Sequence, residues 1–232
     1  MRAVFVHEAC VRDGSWWWHP TAAALRERGI DSAAPELPSC GEGEHPAGGQ
    51  GPGLPEDVAA VRAALTSTAE PTLVVAHSYG GVVAAEAAAH CATVRHLVLV
   101  SSYLPEPGES LATFSGSTPA PFLEVDPEDG TFGARPELFA DTFAHDCPSE
   151  IIRGATARLA RQTLAVTTQP VQAAAWHALP TTYLVCTQDR ATPATAQREF
   201  ARRAGRVVDV ESGHHPFLSQ PQTVADLLTR LS

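Results

Sequence analysis

The chain has 232 residues, 44% hydrophobic and 18% charged, with a formal net charge of −10. That length and apolar content suit one core domain carrying an insertion, and the acidic balance argues against a nucleic-acid or anionic-membrane partner, because both demand a basic patch. No apolar run approaches the roughly 18 residues needed to span a bilayer.

Strands and helices alternate along the chain, which predicts an α/β fold with a doubly wound, mostly parallel sheet covered on both faces. A strand over about 3–6 opens the chain at once, so no signal peptide is read. A helix over about 17–28 follows and stops at Gly29, the expected C-cap glycine. The run Ser15-Trp-Trp-Trp18 at its start is expected to anchor that helix to the sheet. A short strand near 31–34 leads into a Gly/Pro-rich loop with six glycines between 41 and 53, expected to be mobile and to border the cleft. A helix over about 56–67, a strand over 72–76, a helix over about 80–90 and a strand over 96–101 come next.

From Pro105 to about Leu179 the alternation breaks, and this stretch is read as a mainly helical cap inserted into the core, which comprises 1–104 and 180–232. The insertion opens with Pro105-Glu-Pro-Gly108 and Ser115-Gly-Ser-Thr-Pro119, both loop chemistry. A hairpin is expected from Phe122–Val125 and 130–132, turning through Asp126-Pro-Glu-Asp, with helices over about 136–146, 148–163 and 170–178. Its aromatics are Phe114, Phe122, Phe132, Phe139, Phe143 and Trp176. Most are expected to pack the insertion's own core, with one or two reaching a pocket and Trp176 the first choice. After it, a strand from Thr181 ends in Gln188-Asp189, and another from Arg206 ends in Gly213-His214-His215.

The chemistry is most visible at Thr72-Leu-Val-Val-Ala-His-Ser78-Tyr-Gly-Gly81. A β-branched run breaks at a serine, meets two glycines and continues as an alanine-rich helix. Such a turn exposes the serine hydroxyl at the carboxyl edge of the sheet, and the glycines allow the helix backbone to approach its neighbours. The usual Gly-x-Ser-x-Gly has Ala76 in its first place here. A nucleophilic Ser78 needs a base, and the base an orienting acid. Asp189 and His214 follow in the required chain order, each just past a strand end.

Five cysteines, at 10, 40, 91, 147 and 186, are odd in number without metal-like spacing, which suits reduced thiols in a cytoplasm. The ten histidines form no HExxH and adjoin only at His214-His215, so no metal is expected. No cofactor is expected either.

In these segments the chain resembles the α/β-hydrolases, in particular the small branch of plant methyl-ester hydrolases, hydroxynitrile lyases and bacterial aryl-ester and pyrethroid hydrolases. The resemblance rests on Val4-Phe-Val-His7, Ala76-His-Ser-Tyr-Gly-Gly81, Tyr183-Leu-Val-Cys-Thr-Gln-Asp189, and Gly213-His214 seven residues before Pro221-Gln222. It implies a serine hydrolase acting on a neutral small-to-medium carboxylic ester or thioester, as a monomer or homodimer. The oxyanion of such a reaction is held by two backbone N–H groups, which the resemblance assigns to Tyr79 and Ala9.

Two positions depart from that family's pattern. Glu8 stands where the family has glycine, and His215 where lyases carry lysine and esterases commonly methionine. Glu8 is expected to turn outward, leaving ester hydrolysis ordinary. If it turned inward, its charge would oppose an oxyanion by about 1 to several kcal/mol, and burial would raise its proton affinity. Glu8 and His215 are also the candidate substrate contacts, with Trp176, for an alternative: a non-hydrolytic enzyme of the same fold, a C–C lyase or proton-transfer catalyst. A non-catalytic receptor is disfavoured because all three triad positions are filled.

Overall fold

A computed structural model describes residues 1–114 and 119–231, so Ser115–Thr118 of the predicted loop lie outside the described residues. In chain order the elements are β1 (Arg2–Val6), α1 (Gly14–Arg26), β2 (Asp31–Ala33), α2 (Leu54–Thr66), β3 (Thr72–His77), α3 (Gly80–Ala87) and β4 (Val94–Val100). The inserted stretch holds β5 (Leu123–Asp126), β6 (Thr131–Ala134), α4 (Pro136–Phe143), α5 (Ser149–Thr156) and β7 (Gln162–Thr163). The chain then returns through β8 (Thr181–Cys186), α6 (Ala194–Ala201), β9 (Arg206–Val210), α7 (Pro216–Ser219) and α8 (Pro221–Thr229).

Six strands form one parallel sheet in the order β2-β1-β3-β4-β8-β9. The central strands read as unbroken apolar runs because both faces are covered. Alternate residues serve opposite layers. Val4, Val6, Val74, Ala76, Leu97, Leu99, Tyr183 and Val185 pack with Leu54, Val58, Val61 and Leu65 of α2 and Val82 and Val83 of α3. Ala3, Phe5, Leu73, Val75, Val98, Val100, Leu184 and Cys186 pack with Trp17, Trp18 and Leu25 of α1 and with Phe217, Val224 and Leu228.

The helix α1 starts earlier than expected because the Asp13 side chain accepts a hydrogen bond from Trp16 N at 3.2 Å and caps it. Trp18 fills the gap between sheet and α7, its ring 4.5 Å from Phe5 and 3.9 Å from Phe217, stacked on both. Trp17 is buried as well, whereas Trp16 is half-buried and carries the Arg158 guanidinium 4.3 Å over its ring. Two of the three tryptophans therefore anchor the helix to the core.

The insertion is less helical than its sequence suggests. The expected hairpin forms between β5 and β6, but β7 adds a third strand where a helix over 148–163 was expected. The helix stops at Thr156 because the chain that follows is claimed by the loop after β1. Arg12 N donates to Arg158 O at 3.0 Å, and Ala160 N to Cys10 O at 2.8 Å. Tertiary backbone pairing outweighs local propensity there. Near 170–178 only a single 3-10 turn forms, Ala175–His177.

The glycine-rich loop does not border the cleft. Glu42 accepts hydrogen bonds from Asp13 N at 2.5 Å and Leu37 N at 3.1 Å and pairs with His7 Nε2 at 3.0 Å, bracing the segment that carries Glu8. Gly49 N donates to Asp129 O at 2.9 Å, tying the loop to the β5–β6 turn.

The turn between β3 and α3 is the tightest place in the sheet. A methyl on Gly80 would meet Val6 O at 2.5 Å and His7 O at 2.6 Å, and one on Gly81 would meet Tyr103 O at 2.5 Å and the Ser102 hydroxyl. Gly81→Ala is expected to cost about 1–3 kcal/mol in a denaturant titration. Gly205→Ala, where the added methyl would find only Thr181 O at 3.6 Å, should change stability by no more than about 0.5 kcal/mol.

Candidate active site

The strands β1, β3, β4, β8 and β9 end at one edge of the sheet, and the polar residues directly beyond them meet there. Ser78 leaves β3 with φ 49, in the left-handed region. A non-glycine residue pays about 1–3 kcal/mol for such a backbone. The turn is held by Ser78 N donating to Val100 O at 3.3 Å and by the Ser102 hydroxyl donating to Ser78 O at 2.6 Å.

Asp189 and His214 are brought together. Asp189 Oδ1 accepts from Ala191 N at 2.8 Å and Thr192 N at 2.9 Å. Its Oδ2 accepts from Gln197 Nε2 at 3.2 Å, from the Ser101 hydroxyl at 2.5 Å and from His214 Nδ1 at 2.7 Å. Burial disfavours the carboxylate, but the His214 charge and these hydrogen bonds prevail and hold its pKa at about 2. For His214 burial favours the neutral ring, yet Asp189 on one side and Glu8 on the other raise its pKa to about 10.

Glu8 points inward, contrary to the outward orientation expected from sequence. It is 5% exposed, its Oε1 is hydrogen-bonded to His215 Nε2, and its Oε2 stands 3.4 Å from His214 Nε2. The His214 Nε2 contact is not aligned as a hydrogen bond, and that nitrogen has no other partner. The proton affinity of Glu8 also moves opposite to expectation. Burial pushes its pKa up, but the charges of His215 and His77 and the close contacts with His214 and His215 outweigh it and hold the carboxyl well below its usual range. Three imidazoles around one carboxylate are the reason.

His215, an expected substrate contact, lies behind the wall of the cavity that Glu8 and His214 line. It is fully buried, and its Nδ1 donates to Phe143 O at 2.8 Å while Nε2 faces Glu8. The Trp176 indole N–H donates to Pro105 O at 2.9 Å and its ring packs edge-on against His177, away from the cavity. Glu8, Ser78 and His214 do open on one cavity of about 480 Å³, whose wall also includes Ala9 and Tyr79, the expected N–H donors. The five phenylalanines Phe114, Phe122, Phe132, Phe139 and Phe143 all line it. The inserted segment thus gives its aromatics to the cavity rather than to a core of its own.

Three further residues escaped sequence reasoning. Ser101, with φ 41, places its hydroxyl on Asp189 and 3.4 Å from His214 Nδ1. Its only sequence signal is a polar residue at the end of an apolar strand. Gln197 is buried on α6 and steadies Asp189. His77 is buried beside His214 and His215, with ring centroids 4.4 and 5.1 Å away, and neither of its ring nitrogens has a hydrogen-bond partner. Burial and the neighbouring His214 keep its pKa well below that of an ordinary histidine. Glu8, His77, His214 and His215 each offer one metal-ligating atom, all within 4.8 Å of one another.

Among the described residues no helix is long and apolar enough to cross a membrane. A family model described as "Alpha/beta hydrolase family" matches residues 3–227. The chain is 27% identical over 190 residues to "Alpha/beta hydrolase nvfD" of Aspergillus novofumigatus, covering 75% of this chain and 76% of that protein. It is 25% identical over 179 residues to "Probable hydrolase R7" of a Phoma species, covering 73% of each. Among solved structures, a pyrethroid hydrolase from Sphingobium faniae JZ-2 superposes with a TM-score of 0.86 at 21% identity, over 99% of this chain and 96% of that one. Polyneuridine aldehyde esterase superposes with a TM-score of 0.82 at 20% identity, over 99% and 98%. At these identities the two superpositions speak for the fold, while the family match spans nearly the whole sequence: the chain belongs to the alpha/beta hydrolase family and is one of its enzymes.

Proposed function

We propose that the protein hydrolyses neutral carboxylic esters of small to medium size through an acyl-enzyme on Ser78. The observation that carries this reading is the Asp189–His214 hydrogen bond of 2.7 Å beside a strained Ser78, with Ser78 and His214 opening on the same largely apolar cavity. In the proposed reaction the neutral form of His214, a minor fraction at neutral pH with a pKa of about 10, takes the Ser78 proton on Nε2 as the oxygen attacks the ester carbonyl, and Asp189 orients the imidazole. The tetrahedral oxyanion is held by the Tyr79 and Ala9 backbone N–H groups. His214 then returns the proton to the leaving alcohol, and water repeats the sequence on the acyl-enzyme. Five phenylalanines favour an uncharged acyl or alcohol group, and the Glu8 carboxylate disfavours an anionic one.

The position of Glu8 supports a second reading. A carboxylate on the cavity wall, held by two imidazoles, can exchange a proton with a bound substrate, as a C–C lyase or another proton-transfer enzyme requires.

On the first reading Ser78→Ala and His214→Ala each lower p-nitrophenyl ester turnover by on the order of 10³-fold or more. Asp189→Asn should stay folded by circular dichroism while losing most activity, because the imidazole loses its orienting acceptor. A fluorophosphonate probe should label wild type and not Ser78→Ala. More than a tenth of wild-type activity in Ser78→Ala would remove Ser78 from the mechanism.

Glu8→Gln separates the two readings. It removes a charge beside the oxyanion, so ester hydrolysis should rise several-fold if the carboxylate only hinders. If Glu8 is the working acid or base, a natural non-hydrolytic reaction should vanish in this variant while ester cleavage survives. In a substrate panel neutral esters should outperform charged phosphoesters by at least tenfold in kcat/KM, and the reverse order would contradict the role given to the apolar wall.

A further inference from the structure

Glu8 and His215 both depart from the resembled family, and the fold places them in contact, next to two more histidines. We propose that Glu8, His214 and His215, with His77 as a fourth donor, form a binding site for one transition-metal dication such as Zn²⁺, and that an ion bound there withdraws His214 from Ser78. The binding stands apart from the reaction; only the effect on activity rests on the ester-hydrolase reading above.

Four observations converge on this site. First, its donors come from the ends of three strands yet lie within 4.8 Å of one another. A tetrahedral zinc with Zn–N of about 2.0–2.1 Å needs donors a little over 3 Å apart, so modest side-chain rotation closes the set. Second, His214 on the cavity wall and His215 behind it already have the outer partners that metal-bound imidazoles use. His214 Nδ1 is on Asp189 Oδ2 at 2.7 Å and His215 Nδ1 on Phe143 O at 2.8 Å, so each Nε2 is turned toward Glu8. Third, His214 Nε2 and both ring nitrogens of His77 are buried with no hydrogen-bond partner. Such orphaned groups are rare in folded proteins, and metal ligation is one role that accounts for them. Fourth, Glu8 and Asp189 are two buried carboxylates among neutral-capable imidazoles, a local charge that one dication balances.

The donor chemistry narrows the ion. Two or three imidazoles and one carboxylate match the ligand sets of zinc and neighbouring first-row metals, whereas calcium and magnesium prefer all-oxygen shells. Binding would displace the proton shared by Glu8 Oε1 and His215 Nε2 and the proton on His214 Nε2, and release both to solvent. Glu8 and His214 line the cavity, which supplies the entry path.

The test uses the full chain, freed of metal with a chelator and titrated with Co²⁺ alone. Expected is one ion per chain with the intense visible bands of four- or five-coordinate cobalt, bleached by added Zn²⁺ and unaffected by Mg²⁺ or Ca²⁺. Glu8→Gln and His215→Phe should each weaken binding at least tenfold, while Ser78→Ala and the exposed-histidine variant His45→Ala keep it. Absence of a saturable signal, a six-coordinate spectrum, or unchanged affinity in both site variants would overturn the proposal. Should those variants fail to fold, zinc X-ray absorption on the wild-type protein decides: at least two imidazoles at about 2.0–2.1 Å are expected, and fewer would refute the site. Stoichiometric Zn²⁺ should also suppress ester turnover, reversibly with EDTA. Ser78→Ala that still binds Co²⁺ beside a wild type with no esterase activity would overturn the ester reading and leave the metal site standing.

Discussion

A buried carboxylate must be met by protons, hydrogen bonds or cations, and Glu8 imposes that demand on everything around it. It is answered by His215 through a direct hydrogen bond and by His214 across 3.4 Å. His215 is in turn held by the Phe143 carbonyl, so the inserted segment is tied to the sheet edge through this one carboxylate. His214 lies between two acids, Asp189 on Nδ1 and Glu8 on the Nε2 side, which is why its pKa stands near 10. Whatever reaction the cavity supports has to proceed with that second acid in place.

The second constraint is steric. Parallel strands that end together bring the loops after β1, β3, β4, β8 and β9 to one line, and the sharp exit from β3 requires that α3 pass within van der Waals limits of β1 and of the chain after β4. Only glycines at 80 and 81 allow that passage. The strain at Ser78 and Ser101 is borne by the surrounding hydrogen bonds, Ser102 on the Ser78 carbonyl and Ser101 on Asp189. Positions at the strand ends are therefore rigid in a way that loop residues seldom are.

The inserted segment completes the cavity. Its phenylalanines form the apolar wall, and its polar groups brace the loops at the carboxyl edge of the sheet: Asp146 accepts from Gly213 N at 2.7 Å, and His145 Nε2 meets Gln188 O at 3.0 Å. The same segment pairs with the loop after β1, where Gln162 Oε1 receives Cys10 N at 3.0 Å. Cavity shape and loop positions are thereby coupled. A change in the wall would be felt at the residues next to Glu8.

Local signals in the chain were enough for the alternating architecture, for the turn at Ser78 and for the meeting of Asp189 with His214. β-Branched runs, paired glycines and strand-end polar residues depend on a few neighbours, and these report themselves in one dimension. The hairpin of β5 and β6 was legible for the same reason, through its Asp126-Pro-Glu-Asp turn. What tertiary structure decided was everything that depends on residues far apart in sequence. The direction of Glu8 was set by His215, 207 positions away, and by the cost of leaving either group unpaired. The extent of α5 was set by backbone bonds to Cys10 and Arg12. Trp176 and the five phenylalanines exchanged their expected places, because an aromatic side chain shows in sequence that it will be buried but not against which surface. The cluster of Glu8, His77, His214 and His215 has no spacing motif at all, since its members meet only when three parallel strands end at one edge.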